Sequence, residues 1–162
     1  MYLHGFASSA LSAKGLVLAR SLAASGVQLR LPSLNRPSFE RLTYSGALDV
    51  VRETADAEPS ARWDVVGSSM GGYIAARWAE LQPERVRRLV LLCPGFDLLE
   101  RLPIVLGDDA LFEKWESEGS LALGYGPDGP RSRVSWDFVI EDHHSGGKFV
   151  VGRPPPLNLA RR

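Results

Sequence analysis

Residues 65 to 72 read Val65, Val66, Gly67, Ser68, Ser69, Met70, Gly71, Gly72, an apolar strand that enters Gly-x-Ser-x-Gly and continues into an amphipathic helix. A side chain at so sharp a strand-to-helix turn takes a cramped backbone conformation, so the flanking Gly67 and Gly71 must be small for strand and helix to approach. The pattern predicts that Ser69 projects its hydroxyl from the end of a sheet. It also places the Met70 amide in the first turn of the helix, where unpaired N–H groups and the positive end of the dipole favour a developing oxyanion. Ser68, its neighbour, cannot aim at the same point and is expected to pack or hydrogen-bond elsewhere. The flanks agree with this reading. Trp63 to Val66 is short and apolar, after the turn-like Glu58, Pro59 and Ser60, while Met70, Ile74, Trp78 and Leu81 fall on one helical face with Pro83 beyond its end. The alternative reading of the same residues is a glycine-rich turn without chemistry, or one that binds a small anion at the helix N-terminus.

The chain begins Met1, Tyr2, Leu3, His4, Gly5, Phe6, an apolar strand ending in His-Gly, followed by Ala7, Ser8 and Ser9. A glycine there lets backbone come close to an acyl oxygen, and the amide of Phe6 becomes the second oxyanion donor. His4 is expected to orient this loop by hydrogen bonding rather than to act as a base.

Met1 to Ala13, Val65 to Gly72, and Cys93, Pro94, Gly95, Phe96 and Asp97 after a hydrophobic strand resemble the small bacterial α/β-hydrolase esterases of the YqiA/YcfP kind. The resemblance covers about the first hundred residues closely and the segment to Asp142 more loosely. It implies an α/β-hydrolase core, a mostly parallel sheet with flanking helices, a helical cap segment at about 97–142 and an irregular tail at 143–162. It implies hydrolysis of a small acyl ester or thioester by a Ser-Asp-His triad, without cofactor or metal.

Composition restricts the partners. The 162 residues suit a single domain, and 44% apolar content is enough for a core. Nineteen basic and nineteen acidic side chains leave no net field to attract nucleic acid or an anionic membrane. The single Cys93 cannot form an internal disulfide and is expected to be a buried thiol. With neither a basic leader nor a membrane-length apolar run in this sequence, a cytoplasmic location is expected.

Coarsely, strands are expected at Tyr2–His4, Val27–Leu31, Trp63–Val66 and Val86–Leu92. Helices are expected at Ser12–Ser25, with Gly26 at its C-terminal turn, and at Ala47–Ala57, with Leu48, Val51 and Ala55 inward. Leu34–Phe39 reads as a Pro-containing loop, Leu98 to Leu106 and the Phe112–Trp115 stretch as helix faces, and Tyr125–Pro130 as a loop. Trp136, Phe138 and Ile140 alternate with polar residues.

The triad's other members are harder to place. In this fold the acid and the base follow the nucleophile, on loops after later strands. No Asp or Glu occurs after Asp142 and no His after His144, and Pro154 to Pro156 oppose strand pairing. The candidates are therefore Asp97, whose competing role is a helix cap, and His143 or His144, whose competing role is a solvated loop. The resulting expectation is a core without the last strands of the fold, with Val86–Leu92 left on a sheet edge through which copies self-associate. A catalytically incomplete, truncated or frame-shifted hydrolase is the competing class, and a small-molecule or anion binder the third.

Overall fold

The computed structural model describes residues 1–139 apart from 97, 99, 100, 103, 105, 106 and 108. Among these residues three strands, β1 (Tyr2–Leu3), β2 (Trp63–Ser68) and β3 (Val86–Leu92), form a parallel sheet in the order β1-β2-β3. Tyr2 lies beside Val66 and Val66 beside Val90, so one row of side chains runs across the sheet; Leu3, Gly67 and Leu91 make the next row on the opposite face.

Helix α1 (Ala13–Ala23) packs on the Tyr2 face and helices α2 (Tyr44–Asp56) and α3 (Met70–Leu81) build the larger core. Ser12 caps α1 by accepting from the Gly15 amide, and Gly26 takes a positive φ of 73° just beyond its end. Helix α2 starts at Tyr44, three residues before the expected Ala47, because the Thr43 hydroxyl accepts from the Gly46 amide at 3.1 Å and closes the first turn. Tyr44, Ala47, Val51 and Ala55 are its buried stripe, and Leu48 is only half-buried. In α3, Met70, Ile74 and Trp78 are buried, whereas Leu81, expected on the same face, is 40% exposed at the last residue of the helix.

Val27–Leu31 is not a strand. Its link to the sheet is the Tyr2 amide donating to the Arg30 carbonyl at 2.9 Å; a two-residue β1 offers too few backbone groups for a ladder, and Pro32 lacks a donor. The 34–39 segment is a loop with a cis Arg36–Pro37 bond.

After β3, helix α4 (Asp109–Glu118) leads into an antiparallel hairpin, β4 (Ser120–Ala122) with β5 (Arg133–Ser135), in which Leu121 faces Val134. The segment expected as a helical cap thus contains a hairpin. The alternating Trp136 and Phe138 do not extend a strand either, since β5 stops at Ser135 and residues 137–139 turn helical. Trp115, Phe112 and Trp136 meet edge to face, with the Trp115 indole donating to the Val134 carbonyl at 2.9 Å. Residues 140–162, including the expected strand-like Lys148–Gly152, lie outside the described residues.

Candidate active site

The turn from β2 to α3 carries the site. Ser69 has φ 51° and ψ −121°, a conformation that L residues avoid and that persists only where neighbours impose it. Here they do. The Ser69 amide donates to the Leu92 carbonyl at 3.0 Å, and its own carbonyl accepts from the amides of Gly72, Tyr73 and Gly95. A Cβ on Gly67 would lie 2.4 Å from the Gly71 carbonyl oxygen, and one on Gly71 2.3 Å from that of Leu3. Both glycines are therefore required by contact between strand and helix, without any need for positive φ.

The loop after β1 closes on the same point. A Cβ on Gly5 would sit 3.3 Å from the Ser69 Cβ and 3.8 Å from its Oγ, so this backbone lies directly against the serine. Among the described residues neither the Phe6 amide nor the Met70 amide has a hydrogen-bond acceptor. The first flanks the glycine that touches Ser69, and the second opens helix α3.

His4 is fully buried and has both ring nitrogens engaged. Its Nε2 accepts from the Leu34 amide at 2.9 Å, which fixes the neutral tautomer with the proton on Nδ1, and that N–H donates to the Gly5 carbonyl at 2.9 Å. Burial holds its pKa below the ordinary value, and the Gly5 hydrogen bond opposes this only in part. The imidazole thus ties the Gly5–Phe6 loop to the 34–39 loop, and no ring nitrogen is left to take a proton from Ser69. Asn35 adds a second tie by donating to the Ser8 carbonyl at 2.7 Å.

Ser68 points the other way. It is buried, and its Oγ accepts from Lys14 Nζ at 3.2 Å on the α1 side of the sheet. Cys93, expected to be buried, is exposed with a positive φ of 47°, because the chain turns sharply at the end of β3 to bring Pro94 and Gly95 to the serine. Sequence reasoning alone gives Pro94 and Gly95 no place in the site. Pro94 packs on Gly72, and a Cβ on Gly95 would lie 3.4 Å from the Met70 nitrogen; the Cys-Pro-Gly string after an apolar strand is the signal that marks them.

Aromatic rings line the surroundings. Phe6 stacks on Phe138 at 5.1 Å, Phe138 on Tyr44 at 4.9 Å, and Tyr44 meets Tyr73 edge-on; Phe96, 42% exposed, contacts Tyr73 in turn. Asp97, His143 and His144, the candidates for acid and base, lie outside the described residues. Among the described residues no group of three or more His, Cys, Asp or Glu is placed to hold a metal ion, and no helix is long and apolar enough to cross a membrane.

Comparison with known proteins agrees with the fold. No curated protein matches the sequence. Among solved structures, alpha/beta hydrolase domain-containing protein 10 from mouse superposes with a TM-score of 0.61 at 19% identity, over 88% of this chain and 59% of that one. At that identity the likeness concerns the fold, and the chain spans about three-fifths of the length of its structural neighbour. The model of an uncharacterised protein family, UPF0227, matches residues 1–121, three-quarters of the chain. This protein is a member of the UPF0227 family, with an α/β-hydrolase fold.

Proposed function

We propose that the chain is a serine hydrolase of esterase or thioesterase type, with Ser69 as nucleophile and the amides of Met70 and Phe6 as oxyanion donors. The observation that carries this reading is the strained Ser69 backbone, at φ 51° and ψ −121°, between a strand and a helix with the Gly5 backbone against its side chain. Backbone strain of this kind, held in place by the surrounding structure at a half-buried turn, is found most often at functional sites. In the proposed reaction Ser69 Oγ adds to the acyl carbon while its proton passes to a base. The carbonyl electron pair moves to oxygen, where two amides receive the charge. Collapse expels the alcohol or thiol, which takes up the proton, and water then releases the acid from the acyl-serine. His4 is not this base, since its Nε2 lone pair is held by Leu34.

An aryl alkylphosphonate tests the reading without requiring turnover. It should phosphonylate Ser69 alone, as read by mass spectrometry of the digested protein, and Ser69→Ala should abolish the adduct. Modification of Ser68 instead would overturn the assignment. Met70→Pro, which removes one donor, should slow labelling about 10²-fold or more, as loss of an oxyanion donor costs about 2.7–4 kcal/mol.

A further inference from the structure

The loop that meets Ser69 from the β1 side is held by two adjacent residues. Leu34 and Asn35 grip it at its two ends: the Leu34 amide donates to His4 Nε2 at 2.9 Å, and the Asn35 side-chain amide donates to the Ser8 carbonyl at 2.7 Å. Gly5, Phe6 and Ala7 lie between these points, and Phe39 of the same segment packs its ring on Phe6 at 5.5 Å. The splinted turn is not a relaxed one. Ala7 has a φ of 53°, in the left-handed region that a residue with a Cβ avoids, so the turn keeps this shape only while its surroundings impose it. The grip at Asn35 contains no titratable group. The grip at His4 depends on a lone pair that a proton can take.

We propose that His4 is a positioning residue whose protonation opens this splint and withdraws the Phe6 amide from Ser69, so that the serine loses reactivity in acid; the proposal rests on the reading of Ser69 and Phe6 given above. Protonated, His4 sets an N–H against the Leu34 N–H at 2.9 Å, donor facing donor, with both residues fully buried. Neither group finds water while the segment stays closed, so the two loops part. Ala7 then relaxes toward negative φ and carries the Phe6–Ala7 peptide with it. The charged groups of the elements around the ring are engaged elsewhere. On the segment after Leu34, Arg36 pairs with Glu53 and Glu40 is exposed; on α3 Arg77 pairs with Glu80, on β2 Asp64 pairs with Arg87, and Lys14 of α1 donates to Ser68. The Tyr73 ring of α3 meets those of Tyr44 and Phe96. Burial lowers the His4 pKa from 6.5, opposed only by the Gly5 hydrogen bond. At the start of β1 the Met1 ammonium, which donates to the Asp64 carbonyl, has its pKa lowered to about 6 by burial, so a variant must separate the two groups.

The rate of Ser69 phosphonylation in the 162-residue chain, followed by mass spectrometry from about pH 8 to about pH 5, tests this against His4→Gln. Glutamine keeps an acceptor for the Leu34 amide but does not titrate, whereas Met1 and the base that serves Ser69 titrate alike in both proteins. The ratio of parent to His4→Gln rates is expected to be flat above pH 6.5 and to fall by about 10²-fold below the His4 pKa, as for loss of an oxyanion donor, with recovery on return to neutral pH. Asn35→Ala, which opens the other grip, should slow labelling at every pH and leave the acid step in place. Proton–nitrogen NMR of the parent protein reads the same event without reaction. The imidazole in contact with the Leu34 amide should show the Nδ1–H tautomer at neutral pH, and its titration should shift the Leu34 and Phe6 amides together. An adduct formed with the same pH profile in both proteins, or a His4 titration that leaves the Phe6 amide unmoved, would overturn this proposal alone; no adduct at any pH would remove the hydrolase reading with it.

Discussion

A methyl group at position 71 would lie 2.3 Å from the Leu3 carbonyl oxygen and 2.5 Å from that of His4, backbone atoms at the end of β1 and the start of the loop that meets Ser69. Neither can move without parting β1 from α3. Gly71→Ala is therefore expected to cost about 3 kcal/mol or more, at or beyond the upper end for overpacking, and to abolish phosphonate labelling of Ser69 even where the protein remains folded. Urea unfolding followed by circular dichroism checks the first part, and mass spectrometry the second. His4 gives a pH dependence of definite sign. Its neutral form is the one held in the native structure, and burial keeps its pKa below 6.5, the value to which it returns on unfolding. The unfolded chain thus binds the extra proton first, so His4 contributes its full stability above pH 6.5 and loses it as pH falls from 6.5 to the depressed pKa. The urea midpoint should drop over that window, and His4→Gln should lack this part of the drop. At this scale the sequence was informative wherever a residue type had a steric reason, as at Gly67 and Gly71. The Leu34 amide that locks His4 was invisible, because it comes from a loop thirty residues away with no motif of its own.

Elements were legible in proportion to how much of their stability is local. Val86–Leu92, which ends in the apolar run Leu89–Leu92, is preceded by a 3₁₀ turn at Pro83–Arg85, and the structure has the same strand limits. Val27–Leu31 has equal strand propensity but no neighbour long enough to pair with it, and pairing is a tertiary fact. The β4–β5 hairpin is hidden for a different reason. Each strand is only three residues long, too short for an alternation to show, and the Gly-Tyr-Gly-Pro-Asp-Gly cluster between them has the composition of any loop. The early start of α2 rests on a cap that can be tested. Thr43→Ala removes the acceptor for the Gly46 amide and should destabilise the protein by about 1 kcal/mol, with Thr43→Ser restoring most of the loss in chemical denaturation.

Across the whole molecule, the aromatic rings join parts that the sequence separates. Phe138 follows the hairpin, is fully buried, and stacks on both Phe6 of the β1 loop and Tyr44 at the start of α2. It thereby couples the 109–139 segment to the loop that supports Ser69 from Gly5. If that coupling makes one cooperative unit, far-UV circular dichroism and tryptophan fluorescence should report the same unfolding midpoint, since Trp63 and Trp78 belong to the sheet core and Trp115 and Trp136 to the hairpin cluster. Phe138→Ala should cost about 3–5 kcal/mol, as truncation of a buried phenyl does. Its effect on the site is the sharper test. Without the stacked ring the Phe6 side chain loses its partner at 5.1 Å and, among the described rings, keeps Phe39 at 5.5 Å, so the loop next to Ser69 is held less firmly. Phosphonate labelling at low temperature, where the variant is still folded, should slow relative to the parent protein. Fluorescence and circular dichroism midpoints that separate in the parent, or labelling that is unchanged in the variant, would mean that the 109–139 segment is a passive cover and not a support of the reactive turn.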